Sequence, residues 1–234
     1  QKLGKVEAFN RAFQASCGEV IILLAGDDRL PPDSLAIRLN SLALPVRAGE
    51  MRAAAFRLVT FSEQRKYDGL VVPKRGTGNL SGGTIALTRP LAEKVFPIPS
   101  ELVAEDIWIA EAIRAVAPDV ISRPEIVLEY RIHPGNSNPR ARPFHEMTDS
   151  LHERARPYGL IYESERFQLD QKATERLRAR ATLEDFRHEG RLLQLITMRS
   201  VPITDRLRAL SSAHPLLFWI RRSFYGLFSG FRAS

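Results

Sequence analysis

Residues 20–35 read Val20-Ile21-Ile22-Leu23-Leu24-Ala25-Gly26-Asp27-Asp28-Arg29-Leu30-Pro31-Pro32-Asp33-Ser34-Leu35. Five apolar residues, β-branched at their start, are closed by Ala25-Gly26; two acids and then two prolines follow. A run this short, bounded by turn residues, predicts a strand buried on both faces. Such strands are typical of parallel sheets covered by helices. Asp27 and Asp28 then stand just past the carboxyl end of a buried strand, the edge where open α/β sheets bind ligands. Adjacent carboxylates repel, so the pair costs stability unless a cation or hydrogen-bond donors satisfy it. A hard divalent cation holding a diphosphate is a natural partner, because such ions take carboxylate and phosphate oxygens. The same residues also read as a turn into a helix capped by Asp33 or Ser34.

Upstream, residues 2–17 carry Val6, Phe9, Ala12 and Phe13 at helical spacing, with Gly18 behind them. This predicts an amphipathic helix with Asn10 on its flank. Downstream, residues 31–44 predict a second helix, with Leu35, Leu39 and Leu42 toward the core. A strand is expected over 52–62, a basic loop or hairpin over 64–79, and another strand over 79–87 after Gly82-Gly83. Helices follow over 88–95 and 102–116. The later one places Glu105 and Asp106 in its first turn, where acids suit the positive end of the helix dipole. Trp108 reads either as a core residue or as an aromatic face for a sugar ring. Residues 118–130 contain a further strand, leading into Arg131-Ile132-His133-Pro134-Gly135-Asn136. Imidazole is a common metal ligand, although a lone histidine is more often structural. Arg131 beside it can neutralise a diphosphate.

The chain has 234 residues, 44% of them hydrophobic, enough for one large domain or a domain with an appendage. Its single cysteine, Cys17, excludes an internal disulfide and fits a reducing compartment. A cytoplasmic location is therefore expected, with peripheral attachment to the inner face of a membrane as an option. The net charge is +7, with much of the excess in arginines after Ser150. Nucleic acid, anionic membrane and phosphorylated substrates are the partners such charge attracts. No nucleic-acid-binding signature accompanies it, so nucleic acid is not expected as a partner. Residues 144–190 look helical and dense in Arg and Glu. Residues 215–232 are too short, and too interrupted by Arg221 and Arg222, to span a bilayer. They fit an interfacial helix on an anionic membrane, and equally a terminal helix packed on the domain or on another subunit.

Several short motifs also follow one another in order: Asn10-Arg11-Ala12, Cys17 to Ile21, Gly26-Asp27-Asp28, Pro31, Gly82-Gly83, Arg89, Phe96-Pro97, Glu105-Asp106, and Tyr130 to Asn136. In order and spacing they resemble the nucleotide-sugar half of a family 2 glycosyltransferase with the GT-A fold, over roughly residues 3–140. The resemblance implies an α/β domain over 1–142, with a mixed, mostly parallel sheet flanked by helices, and a helical C-terminal extension over 143–234. It implies inverting transfer of a sugar from a nucleotide-diphosphate sugar, a UDP-sugar first among them, to a glycan or lipid-linked acceptor in cell-surface polysaccharide synthesis. Under it, Asp106 is the catalytic base. Asn10, Asp27, Asp28 and Arg131 serve the donor, and Gly82, Gly83, Glu105 and Trp108 lie on the acceptor side. Asp27, Asp28 and His133 hold Mg2+ or Mn2+. The family often has an acid where Ala25 stands, so metal binding here rests on Asp27 and Asp28. Its first strand would precede Gln1, so the chain is expected to be N-terminally incomplete. Two other readings remain open: a sugar nucleotidyltransferase on a related fold, and a non-catalytic binding protein that keeps a degenerate GT-A-like fold.

Overall fold

The apolar run before the acid pair forms a strand of only three residues, β1 (Val20–Ile22), in a computed structural model that describes residues 4–42, 49–117, 119–133, 135 and 143–228. Ile21 and Leu23 are buried, whereas Leu24 is 43% exposed. Val20 and Ile22 are partly buried against a core cluster, so both faces of β1 are covered and only Leu24, past its end, turns to water. β1 pairs antiparallel with β4 (Ile85–Thr88), Val20 opposite Thr88. β4 continues antiparallel onto β2 (Ala53–Phe61). β2 also takes the short β3 (Val71–Val72) antiparallel, and β5 (Val120–Arg131) in parallel. The five-stranded sheet is therefore mixed and mostly antiparallel, not mostly parallel as expected. A five-residue apolar run reads alike in either direction, so its length could not reveal its neighbour's sense.

The chain divides into two units, the first comprising residues 1–138 and 165–168, the second 139–164 and 169–234. β2 is the spine of the first unit. Ala53, Ala54 and Phe56 are wholly buried, and both edges of the strand are paired. Leu42, Ala54, Phe56, Ala86 and Val127 form a core, with Val20, Ile22, Ile37 and Ile121 packed against it. The flanking helices are α1 (Lys5–Ala15), α2 (Ser34–Ser41), α3 (Arg89–Val95) and α4 (Glu105–Val116). A short 3-10 turn, Gly82–Thr84, leads into β4.

α2 turns a different face inward from the one its leucines predict. Leu35 and Leu39 are exposed, while Ser34 and Arg38 are buried together with Leu42. Polar anchoring explains the rotation. Ser34 Oγ donates to the Val127 carbonyl of β5 at 2.7 Å. The Arg38 guanidinium donates to Ser34 Oγ and to the Gly83 carbonyl. Burial pushes Arg38 down to about 10, still charged at neutral pH. Asp33, at the start of α2, makes no side-chain cap; it sits in the left-handed region at φ 62° instead.

The second unit is helical: α5 (Phe144–Glu163), α6 (Gln171–His188), α7 (Leu192–Thr197), α8 (Ile203–Leu210) and α9 (Pro215–Phe228). Asp170 caps α6, its side chain accepting from the Ala173 N–H at 2.6 Å. Arg187 is buried and donates to Thr148 of α5 and to Glu184. Leu183, Leu195, Val201 and Ala209 build this unit's core. Among the described residues, no helix is long and apolar enough to cross a membrane. Residues 229–232 of the expected interfacial segment lie outside the described residues, as does Leu44 at the expected end of α2.

Arg38→Ala should cost about 2–4 kcal/mol in urea unfolding, because it leaves the Gly83 carbonyl and Ser34 short of a partner inside a cavity. Arg38→Met keeps most of the stem's packing and should cost clearly less.

Candidate functional site

The acid loop is tied to the end of β5 by backbone. Arg29 and Glu129 exchange two hydrogen bonds, at 3.0 and 2.9 Å, as an isolated antiparallel bridge. Asp28 N–H closes the turn onto the Ala25 carbonyl at 3.2 Å. Asp27 and Asp28 are thereby held beside the residues that leave β5. Asp28 Oδ1 accepts from the Arg131 N–H at 3.0 Å. His133 Nε2 faces Asp27 Oδ2, also at 3.0 Å. Four residues expected at one site, Asp27, Asp28, Arg131 and His133, therefore do lie together. Pro134 and Asn136, later in the same motif, lie outside the described residues.

Burial is the main influence on Asp28 and pushes its pKa up. The Arg131 N–H opposes this, the Asp27 charge adds to it, and the Lys5 ammonium opposes it. Lys5 also forms an ion pair with Glu105, whose carboxylate is nearly buried at the start of α4. One lysine of α1 thus acts on both the acid loop and the start of α4. Asp106 follows in the same turn, partly exposed. Beside them opens a cleft of about 410 Å³, lined by Gly4, Lys5, Val6, Glu7, Ser100, Leu102, Val103 and Glu105.

The Gly82–Gly83 turn lies against Leu23, just past β1, and Leu128 of β5. A Cβ on Gly83 would stand 2.8 Å from Leu128 Cδ2 of β5 and 3.3 Å from the Leu23 carbonyl. Glycine is needed there because the buried Leu128 side chain fills the space a Cβ would take. Arg38 holds this turn from behind.

Two expected site residues serve the scaffold. Asn10 is buried; its Nδ2 donates to the Ile98 carbonyl and its Oδ1 accepts from the Ile98 N–H, both at 2.8 Å. It clamps α1 to the loop after α3. Trp108 is 2% exposed, donates Nε1–H to the Val95 carbonyl at 3.0 Å and meets Phe167 edge-on. It offers no face to an acceptor, and the core reading of this residue is the one its burial supports. Arg89 is also occupied, donating to the Gly18 carbonyl at 2.6 Å and lying over Phe13. Sequence reasoning missed Lys5 and Arg38. A lone lysine on a helix carries no signal, and Arg38 was hidden by the leucines beside it.

Among the described residues, no three His, Cys, Asp or Glu side chains gather as a metal cluster. The donor set nonetheless fits a small divalent ion. Mg2+ is commonly held by one or two carboxylates, with phosphate and water oxygens as its other ligands. Asp27 Oδ2 and His133 Nε2 meet at hydrogen-bond distance, 3.0 Å, so an ion bound there would take the place of that contact. No family model, curated protein or solved structure matches this chain.

Because burial raises the Asp28 pKa, the folded state holds that proton more tightly than the unfolded chain does. Stability should then fall as pH rises from the ordinary carboxylate range through the raised value. Asp28→Asn should melt at a higher temperature than the wild type at pH 7, and the difference should vanish in acid below about pH 3.5. Asn10→Leu strips Ile98 of both buried partners and should cost about 2–3 kcal/mol in chemical denaturation.

Proposed function

We propose that the first unit is the catalytic domain of a metal-dependent, inverting glycosyltransferase acting on a nucleotide-diphosphate sugar. The observation that supports this most is the convergence of Asp27, Asp28, Arg131 and His133 at the ends of β1 and β5. The last two lie 103 and 106 residues from the acids they meet. The motif resemblance assigns these four positions to one diphosphate site, and it does so without reference to the fold. The donor is a nucleoside-diphosphate sugar, with a UDP-sugar the first to test. The acceptor is a glycan or lipid-linked hydroxyl, as in cell-surface polysaccharide synthesis.

Asp27 and Asp28, with His133, would hold Mg2+ or Mn2+. When bound, the ion neutralises charge on the departing diphosphate. Arg131 supplies a further cation at the same strand end. Lys5 pairs with Glu105 and holds it in place at the start of α4, beside Asp106. Asp106 accepts the proton of the acceptor hydroxyl as its oxygen bonds to the anomeric carbon and the bond to the diphosphate breaks. Displacement from the opposite face inverts that carbon. Gly82 and Gly83 are the acceptor-side turn under the same resemblance.

The test is product analysis with a panel of nucleotide sugars and Mn2+. Release of nucleoside diphosphate together with a glycosylated acceptor is expected. Asp106→Asn should lower kcat by about 10²–10⁴-fold while leaving donor binding and thermal unfolding unchanged. Release of pyrophosphate instead would identify a nucleotidyltransferase, and an active Asp106→Asn would remove that residue as the base. Metal-independent nucleotide binding without turnover would favour a degenerate binding protein.

A further inference from the structure

The helices at the end of the second unit each keep an apolar stripe on the outside. α7 exposes Leu193 and Ile196, α8 exposes Ile203 and Leu207, and α9 exposes Leu216 and Trp219, each 56–70% exposed. Within each helix the pair is three or four residues apart, so it lies on one face. Leu195 of α7 and Ala209 of α8 already pack in this unit's core, with Val201 and Ala213 from the connecting turns. Exposed large apolar pairs repeated on three successive helices point to a surface that binds something.

Charge indicates what it binds. Residues 191–234 hold seven arginines, no lysine and one acid, Asp205, so they carry +6 of the chain's +7. Asp205 is itself taken up by Arg180 at 2.8 Å, with Arg208 at 3.7 Å. Arginine forks match phosphate oxygens in pairs. Arg191 is paired with Glu189 at 2.5 Å, yet the segment stays net basic, and a second copy docking through the same helices would bring two net-positive segments together, which charge opposes. An anionic lipid surface accepts both features at once: leucine, isoleucine and tryptophan in the headgroup boundary, and arginines on its phosphates. No described helix can cross a bilayer, so the contact is interfacial.

We propose that α7, α8 and α9 together form a docking surface for an anionic lipid bilayer. The surface is broader than the terminal segment 215–232 alone and does not rest on the transferase reading. It would keep the chain at a membrane whatever reaction the first unit performs.

The chain carries its own reporter. It has two tryptophans; Trp108 is 2% exposed, and Trp219 is 64% exposed. A change in emission on adding vesicles therefore reports Trp219. The experiment mixes the full chain with vesicles of phosphatidylcholine, with and without phosphatidylglycerol, and reads flotation and fluorescence together. The expected result is flotation with the anionic vesicles only. Trp219 emission should move to the blue and become shielded from an aqueous quencher, and about 0.5 M salt should reverse both. Ile203→Glu with Leu207→Glu should weaken partitioning by about tenfold or more, and circular dichroism should show the helices intact. Three results would overturn the proposal: no flotation, equal binding to neutral vesicles, or flotation that leaves Trp219 emission unchanged. A blue shift that needs no lipid and grows with protein concentration would assign the face to a second copy instead.

Discussion

The site depends on one short backbone exchange, the pair of hydrogen bonds between Arg29 and Glu129. They extend no regular strand. Their effect is to fasten a loop carrying two adjacent carboxylates to the end of a strand whose next residues supply donors. Asp28 meets an N–H and Asp27 meets an imidazole. Free in a loop, the two acids would simply turn apart into water. Held here, they stay close, and burial raises the cost of charging Asp28. Partial burial beside a second carboxylate is the kind of perturbed environment found at functional sites, and it is part of what the proposed metal-diphosphate reading rests on.

That scaffold is unusually polar where it meets the site. Arg38 and Ser34 are buried on α2 and reach β5 and the Gly82–Gly83 turn. Asn10 is buried on α1 and reaches the loop after α3. Each uses a directional hydrogen bond to fix a loop, where an apolar contact would fix only a distance. Buried polar groups cost stability unless paired, yet they specify geometry. Lys5 extends the same logic electrostatically, touching both Glu105 and the field at Asp28. The glycine turn, the acid loop and the start of α4 are thus each held by side chains behind or beside them.

Much of this was legible in the sequence, and what was not has physical causes. The strand over 53–61 and the helix over 105–116 stood out because their apolar patterns are long enough to carry a period. Gathering Asp27, Asp28, Arg131 and His133 required a motif order, since more than a hundred residues separate the partners. The direction of the sheet was not legible. Val20 to Leu24 looked like a strand buried on both faces, but only three residues pair, and Leu24 faces water. The face of α2 was misread for a related reason. Leu35 and Leu39 suggested a core stripe, whereas Ser34 and Arg38 have carbonyls to satisfy inside and leave the leucines outside. Pattern reading weighs apolar burial and has no means of seeing a distant carbonyl that needs a donor. The apolar run Leu192-Leu193-Leu195-Ile196 is legible as a cluster that must dock on something, but the sequence does not say which of its residues dock within the unit: Leu195 is buried, while Leu193 and Ile196 face outward.

Calorimetric titration of UDP into the chain, with Mn2+ and then with EDTA, tests the site most directly. Binding that requires the metal and disappears in Asp27→Ala, while circular dichroism of the variant is unchanged, is the expected result. Binding that persists in EDTA, or that survives Asp27→Ala, would contradict a metal-diphosphate site at the ends of β1 and β5.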